Sequence, residues 1–207
     1  MHAVTLSQQL AFLAEADKLK SILRQTVVTG TLRRENSAEH SWHLALAAMV
    51  LHQHAAEPVN LDRAIRMLIV HDLVEIDAGD TFAYDAAANA SKAAREQAAA
   101  ERIFGLLPPD LAVDLRGLWE EFESFVSADA RFANAIDRIQ PLLQNLHTGG
   151  GTWRSHSLTL PQVLKRMEPI RTALPALWPY VTSTLEDFFS PSAAPASLPS
   201  IRCEDGT

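Results

Sequence analysis

The chain has 207 residues, 47% of them apolar and 21% charged; the length favours one domain with a sizeable core, and the composition excludes wholesale disorder. A formal charge of -7 argues against general attraction to nucleic acid polymers or anionic membranes, although a local basic patch can still hold one phosphate. No apolar run approaches the roughly 18 residues that span a bilayer, and the first residues lack the charged, apolar, small-residue order of a secretory signal, so the expected location is cytoplasmic.

Apolar residues recur at three-and-four spacing along most of the chain and few segments alternate as strands do, which predicts an all-α fold. The first helix is expected over about Leu6 to Gln25, with Leu10, Leu13, Leu19, Ile22 and Leu23 as its apolar stripe, before Val27, Val28 and Gly30 break it. A loop then carries Arg33 and Arg34. The second helix is expected to start at Asn36 or Ser37, since Glu39 three residues after Asn36 completes a capping box, and to run to about His54. His52 and His54 are expected to face solvent. Pro58 and Asn60 mark a break, and a third helix is expected from Leu61 through Val74, with Ile65, Leu68, Ile69 and Leu73 on one side, ending at Asp77-Ala78-Gly79-Asp80.

An alanine-rich helix is expected over Ser91 to Phe104, stopped by Pro108-Pro109. Another is expected from Asp110 to Phe125, with Leu111, Leu115, Leu118 and Trp119 turned inward. Ala128 to His147 forms the next, Gly149-Gly150-Gly151 breaks the chain, and Pro161 to Phe189 reads as one or two closing helices. The domain is therefore placed at residues 1–189 and an irregular Pro/Ser/Ala-rich tail at 190–207. That tail holds Cys203, a lone cysteine that cannot form an internal disulfide. Trp42, Trp119, Trp153 and Trp178 are scattered along the chain and read as core or interface packing.

The densest chemical signal is His71-Asp72-Leu73-Val74-Glu75-Ile76-Asp77-Ala78-Gly79-Asp80, four acids and a histidine in ten positions. Helix residues three or four apart share a face, so Glu75 lies beside His71 and Asp72. Imidazole and carboxylate donors together suit a borderline or hard divalent cation. The competing reading is a packed core histidine with carboxylates that merely decorate a helix C-terminus, where acids oppose the helix dipole. His40 falls in the opening turn of the second helix, with His43 one turn on, but the His-Glu-x-x-His spacing of zinc proteases is absent. Asp137, alone among apolar residues, reads by itself as a buried ion pair with Arg138 or another base. No phosphate-cradling glycine loop and no Gly-x-Ser-x-Gly elbow occurs.

Taken in order, a first His, then His-Asp, then a distant Asp, the chain resembles the HD-domain metal-dependent phosphohydrolases. More narrowly, Arg34-Glu35-Asn36-Ser37-Ala38-Glu39-His40 and the segment His71 to Asp80 are similar to those of the 5'-deoxynucleotidase subgroup, over about residues 10 to 147. The resemblance implies an HD-domain helical bundle in which His40, His71, Asp72 and Asp137 hold one divalent ion (manganese, cobalt, zinc, iron or magnesium), leaving positions for water and substrate phosphate. It further implies that the ion polarises the phosphoryl oxygen and acidifies water. Glu75 would orient that water or shuttle its proton, and Asp80 would sit near the sugar and leaving group, unless it only stabilises the turn after Gly79.

Arg33 or Arg34 would offer a guanidinium fork to the phosphate, with Arg24 a further candidate. Bacterial members of the subgroup carry an Arg-Trp pair that helps select deoxyribose. Here that register falls at Gln25 and Thr26, Arg24 is one step off, and no tryptophan follows, which leaves the sugar preference open. The expected substrate is a nucleoside monophosphate; a phosphodiesterase, another nucleotide-derivative hydrolase or a nucleotide-binding module without turnover are the alternatives on the same core. A homodimer is expected, through apolar residues around Trp119, Phe122 and Phe125.

Overall fold

The computed structural model describes residues 2–31 and 33–190. The fold is all-α with one small hairpin, in the order α1 (His2–Ala16), a 3-10 turn (Asp17–Ser21), β1 (Leu23–Val27), β2 (Arg34–Asn36), α2 (Ser37–Leu51), a 3-10 turn (His52–His54), α3 (Leu61–Val70), α4 (Glu75–Ala78), α5 (Ala86–Asn89), α6 (Lys92–Phe104), α7 (Pro109–Ser124), α8 (Ala128–His147), α9 (Gly151–Ser155), α10 (Leu160–Ala173), a 3-10 turn (Pro175–Leu177) and α11 (Trp178–Phe189). Apart from Ser190, the expected tail with its Cys203 lies outside the described residues.

Three expected helices end early: the second stops at Leu51, with a 3-10 turn to His54, and the other two departures shape the site. The first stops at Ala16, and after its 3-10 turn the chain runs extended from Ile22. Thr26 and Val27 are β-branched and fit a pleated surface better than a helix. Gly30, at φ 76, supplies the left-handed turn that brings β2 back antiparallel to β1. Leu23 falls in β1, and Leu10 and Leu13, although within α1, lie on its outer side, so all three members of the expected stripe are exposed. The third helix stops at Val70 rather than Val74. Beyond it the backbone tightens into three-residue hydrogen bonds, Leu73 N–H to the Val70 carbonyl (3.1 Å) and Glu75 N–H to the Asp72 carbonyl (2.9 Å). In such a turn residues three apart eclipse, so Asp72 and Glu75 project the same way.

The expected capping box is present. Asn36 Oδ1 accepts from the Glu39 N–H at 2.9 Å and Glu39 Oε2 accepts from the Asn36 N–H at 3.1 Å, which fixes where α2 begins and so where His40 stands. Helix α8 runs through the middle of the bundle, packed by α2, α3, α7 and α10. From Phe132 to Gln140 every one of its residues is buried, the polar Asn134, Asp137, Arg138 and Gln140 included.

Further expectations are corrected. Trp119 and Phe122 are buried, so the apolar surface assigned to them does not exist; Phe125 alone of that trio reaches solvent. Trp42 is 64% exposed and shares the outer face of α2 with exposed Leu46, Met49 and Val50. Leu111 and Ile69 also lie outward. His52 is half-buried, its Nε2 3.1 Å from the Val59 carbonyl and its ring edge-on to Phe132. The closing segment holds two helices as expected, α10 and α11, while the short α9 forms directly after the glycine break, at Gly151–Ser155.

Phe132 is fully buried in α8. Phe132→Ala is expected to lower the unfolding free energy by about 3–5 kcal/mol, read from denaturant midpoints at constant m.

Candidate metal centre

Three helices bring the four predicted donors to one point. His40 enters from the first turn of α2, His71 and Asp72 from the turn that follows α3, and Asp137 from the middle of α8. Donor atoms of His40, His71 and Asp72 lie within 4.8 Å of one another. His71 Nε2 is 3.0 Å from Asp72 Oδ1, and His40 Nε2 is 3.9 Å from Asp72 Oδ2. Asp137 Oδ1 faces both rings, 2.9 Å from His40 Nε2 and 3.9 Å from His71 Nε2.

The outer nitrogens of both imidazoles are occupied. His71 Nδ1 is 2.9 Å from the Leu68 carbonyl, which can only accept. His40 Nδ1 is 3.0 Å from Gln140 Oε1, while Gln140 Nε2 donates to Glu35 Oε1 at 2.5 Å. Gln144 Nε2 donates to the same Glu35 oxygen at 2.7 Å and Thr26 Oγ1 donates to its Oε2 at 3.2 Å. With each Nδ1 as donor, both Nε2 lone pairs point at the centre, the arrangement that orients histidine ligands. Two imidazole nitrogens and two carboxylates fit a divalent cation, and four protein donors around an accessible cavity leave room for water and ligand.

Without an ion, the charges balance one another. Burial alone would drive the His71 pKa down, but Asp72 and Asp137 beside it raise it to about 9. Burial would push Asp72 up, yet His71 and Arg24 hold it well below the usual carboxylate range. Asp137 is likewise held well below that range, burial being outweighed by Arg138 and His40.

Glu75 stands next to this cluster. Ser37, whose hydroxyl is not the helix cap, donates to Glu75 Oε2 at 2.6 Å. Burial, and then the Asp72 charge, push the Glu75 carboxyl up to about 8. Asp80 lies past Gly79 on the same wall and is also raised, chiefly by burial. Gly79, at φ 74 and ψ 152, holds a backbone conformation nearly restricted to glycine, and this turn sends Asp80 back toward the cavity.

Of the three arginines predicted to grip phosphate, only Arg24 reaches the cavity. Its Nη1 donates to Asp72 Oδ2 at 2.8 Å and sits 3.9 Å from Asp80, with its Nε 3.7 Å from Glu35. Arg33 is exposed and forks onto Glu39. Arg34 turns back along its own hairpin to the carbonyls of Arg24 and Leu23. Neither lines the cavity. Gln25 and Thr26 do, so the strand β1 forms part of its wall.

The cavity has a volume of about 300 Å³. Besides His71, Asp72, Glu75, Asp80 and Asp137, its wall holds Arg138, Arg166, the ion pair of Lys92 and Glu96 (3.3 Å), and the aromatic Phe82, Tyr84 and Trp153, while His40 lies wholly buried behind it. Sequence reasoning overlooked Glu35, Gln140 and Gln144 as supports and Arg166 as a lining residue. One signal was available: Asp137, Gln140 and Gln144 recur at three-and-four spacing on a helix otherwise rich in apolar residues, which marks a buried polar stripe.

A helical bundle that joins a first His, a His-Asp pair and a distant Asp in one buried centre has the organisation of an HD domain. The HD-domain family model matches residues 16–178, and the chain belongs to that family. It is 35% identical over 136 residues to human 5'-deoxynucleotidase HDDC2, covering 65% of each chain. The chain thus spans a little under two thirds of the length of that relative. Its structure matches that of a predicted metal-dependent phosphohydrolase from Magnetospirillum magnetotacticum MS-1 with a TM-score of 0.85 and 49% identity, over 89% of this chain and 92% of the other. An HD-domain phosphohydrolase from Listeria innocua, at 15% identity, TM-score 0.54 and coverage of 84% and 97%, shares the fold alone.

Two measurements test the centre. A proton on His71 must leave before an ion binds, so apparent Mn²⁺ affinity, titrated by calorimetry, is expected to climb with pH until about 9, roughly tenfold per pH unit for one released proton. Gln140→Leu frees the outer nitrogen of His40 and is expected to weaken Mn²⁺ binding about 10–100-fold; an unchanged affinity would remove Gln140 from the support.

Proposed function

We propose that the protein is a metal-dependent phosphomonoesterase that removes the 5'-phosphate from a ribo- or deoxyribonucleoside monophosphate, with His40, His71, Asp72 and Asp137 holding one divalent ion. The observation that carries this reading is the open four-donor centre with Glu75 immediately beside it on a cavity wall. The names of the relatives, 5'-deoxynucleotidase and metal-dependent phosphohydrolase, support the same chemistry.

A divalent ion bound there supplies Lewis acidity to a phosphoryl oxygen and to a water. Glu75, anchored through one oxygen by Ser37, presents its carboxyl group to take the proton of that water as its oxygen attacks phosphorus. The phosphorus–O5' bond breaks, and the departing oxygen receives a proton from the same wall, where Asp80 stands beside Glu75. Burial and the Asp72 charge raise the Glu75 carboxyl in the metal-free site, and the charge of a bound divalent ion would draw it back toward the ionised form that accepts the proton. Arg24 keeps Asp72 in place and tempers the repulsion among Asp72, Glu75 and Asp80. No tryptophan follows Arg24, so discrimination against a ribose 2'-hydroxyl does not rest on such a pair.

We infer also that two copies associate through the outer face of α2. Trp42, Leu46, Met49 and Val50 follow at helical spacing and are all exposed, and a two-fold contact would cover this patch in both copies at once. Trp42→Glu with Met49→Glu is expected to halve the mass found by sedimentation equilibrium; an unaltered mass would locate any self-association elsewhere.

Metal-stripped protein restored with manganese, cobalt, magnesium or zinc singly is expected to release phosphate from nucleoside 5'-monophosphates. Asp72→Ala should abolish release, and Glu75→Gln should slow it about 10²–10⁴-fold with metal still bound. Turnover of diesters in preference to monoesters, or of neither, would overturn the assignment.

A further inference from the structure

Besides His71, four arginine and lysine side chains line the cavity: Arg24, Lys92, Arg138 and Arg166. Three have a carboxylate of their own. Arg24 is on Asp72 at 2.8 Å, Lys92 on Glu96 at 3.3 Å, and Arg138 Nη1 donates to Asp137. Arg166, half-buried on α10, has no carboxylate within 4.0 Å among the described residues; its neighbour on the same helix, Glu168, pairs outward with Arg171. Arg138 is itself incompletely used, for its Nε is buried without an acceptor.

We infer that Arg166, with Arg138, is the phosphate clamp of this cavity, binding the dianionic group of the substrate. The inference rests on the phosphomonoesterase reading for the identity of the substrate, but not for the anion site itself. A half-buried guanidinium whose nearest interacting carboxylate, Asp137, is already paired with Arg138 and lies beyond 4.0 Å is costly unless something anionic completes it, and a planar fork matches two phosphate oxygens at once. The position agrees with the chemistry. Arg138 directly follows the predicted metal ligand Asp137 and is bonded to it, so an anion held by Arg138 lies beside the metal centre. Arg166 reaches the same wall because α10 packs along α8. The two guanidiniums repel when nothing lies between them; burial and the Arg138 charge pull the Arg166 pKa down to about 10, which still leaves it charged at neutral pH. Arg24 is the poorer clamp, since Asp72, Asp80 and Glu35 already surround it.

The test compares the full-length wild-type protein with Arg166→Gln and, as a surface control on the same helix, Arg171→Ala. Inorganic phosphate binding to the Mn²⁺-loaded protein is measured by calorimetry, and KM and kcat with nucleoside monophosphates. Arg166→Gln should weaken phosphate binding and raise KM by about 10–150-fold, the loss of a charge-assisted hydrogen bond. It should leave the visible spectrum of the Co²⁺-loaded centre unaltered, and added guanidinium should restore part of the phosphate affinity. Phosphate should also shield Arg166 of the wild type from phenylglyoxal, mapped by mass spectrometry, which decides the matter if the variant does not fold. Unchanged phosphate affinity in the folded variant, or no shielding, overturns the clamp. Phosphate binding that depends on Arg166 without turnover of any monoester would overturn the proposed activity and keep the clamp.

Discussion

Two carboxylates buried within reach of each other repel, and the site exists because that repulsion is offset from both sides. Arg24 lies against Asp72 and Arg138 against Asp137, while the two imidazoles stand between the acids. A buried charge that loses its partner is strongly destabilising, so the hairpin bearing Arg24, the turn bearing Asp72 and the helix bearing Asp137 are tied to one another electrostatically. The four donors converge without any of them being adjacent in the chain, His71 and Asp72 excepted.

Helix α8 makes this possible at some cost to itself. It is wrapped on all sides over its central turns, and a helix in that position would ordinarily be apolar throughout. Here buried polar groups need partners inside, and most find them, although Asn134 Oδ1, Arg138 Nε and Gln144 Oε1 do not. Asn134 donates to the Phe122 and Ala130 carbonyls, and Gln140 links His40 to Glu35. The chain from His40 through Gln140 to Glu35 connects α2, α8 and β2, so the orientation of His40 is set by residues outside the donor cluster.

The turn after α3 and the turn at Gly79 perform a complementary task. Ending α3 at Val70 lets the following residues wind more tightly, which aligns Asp72 with Glu75, and the glycine then sends Asp80 back to the same wall. Two further carboxyls are thereby placed next to the charged centre, in a setting whose burial raises Glu75 and Asp80 while Asp72 and Asp137 are held low by the cations beside them. Carboxyls of one kind are thus pushed in opposite directions by environment.

The sequence by itself determined the helical class, the capping box that positions His40, and the ordered set of His40, His71, Asp72 and Asp137, because apolar spacing and cap chemistry are local and the ordered motif is read directly from the chain. It also supplied Glu75 and Asp80. It misread the segment after Ala16 as helix, since Leu19, Ile22 and Leu23 fit a helical period as well as they fit a turn and a strand, and it carried α3 four residues too far for the same reason. Only the tertiary structure decided which arginine meets the cavity. Arg33 and Arg34 sit in the motif, yet the hairpin turns them away, while Arg166 comes from a helix about thirty positions beyond Asp137. It decided equally that Trp119 and Phe122 are inside and Trp42 outside. A side chain's direction depends on which neighbour its element packs against, and that neighbour is chosen by the whole fold, not by the residues on either side.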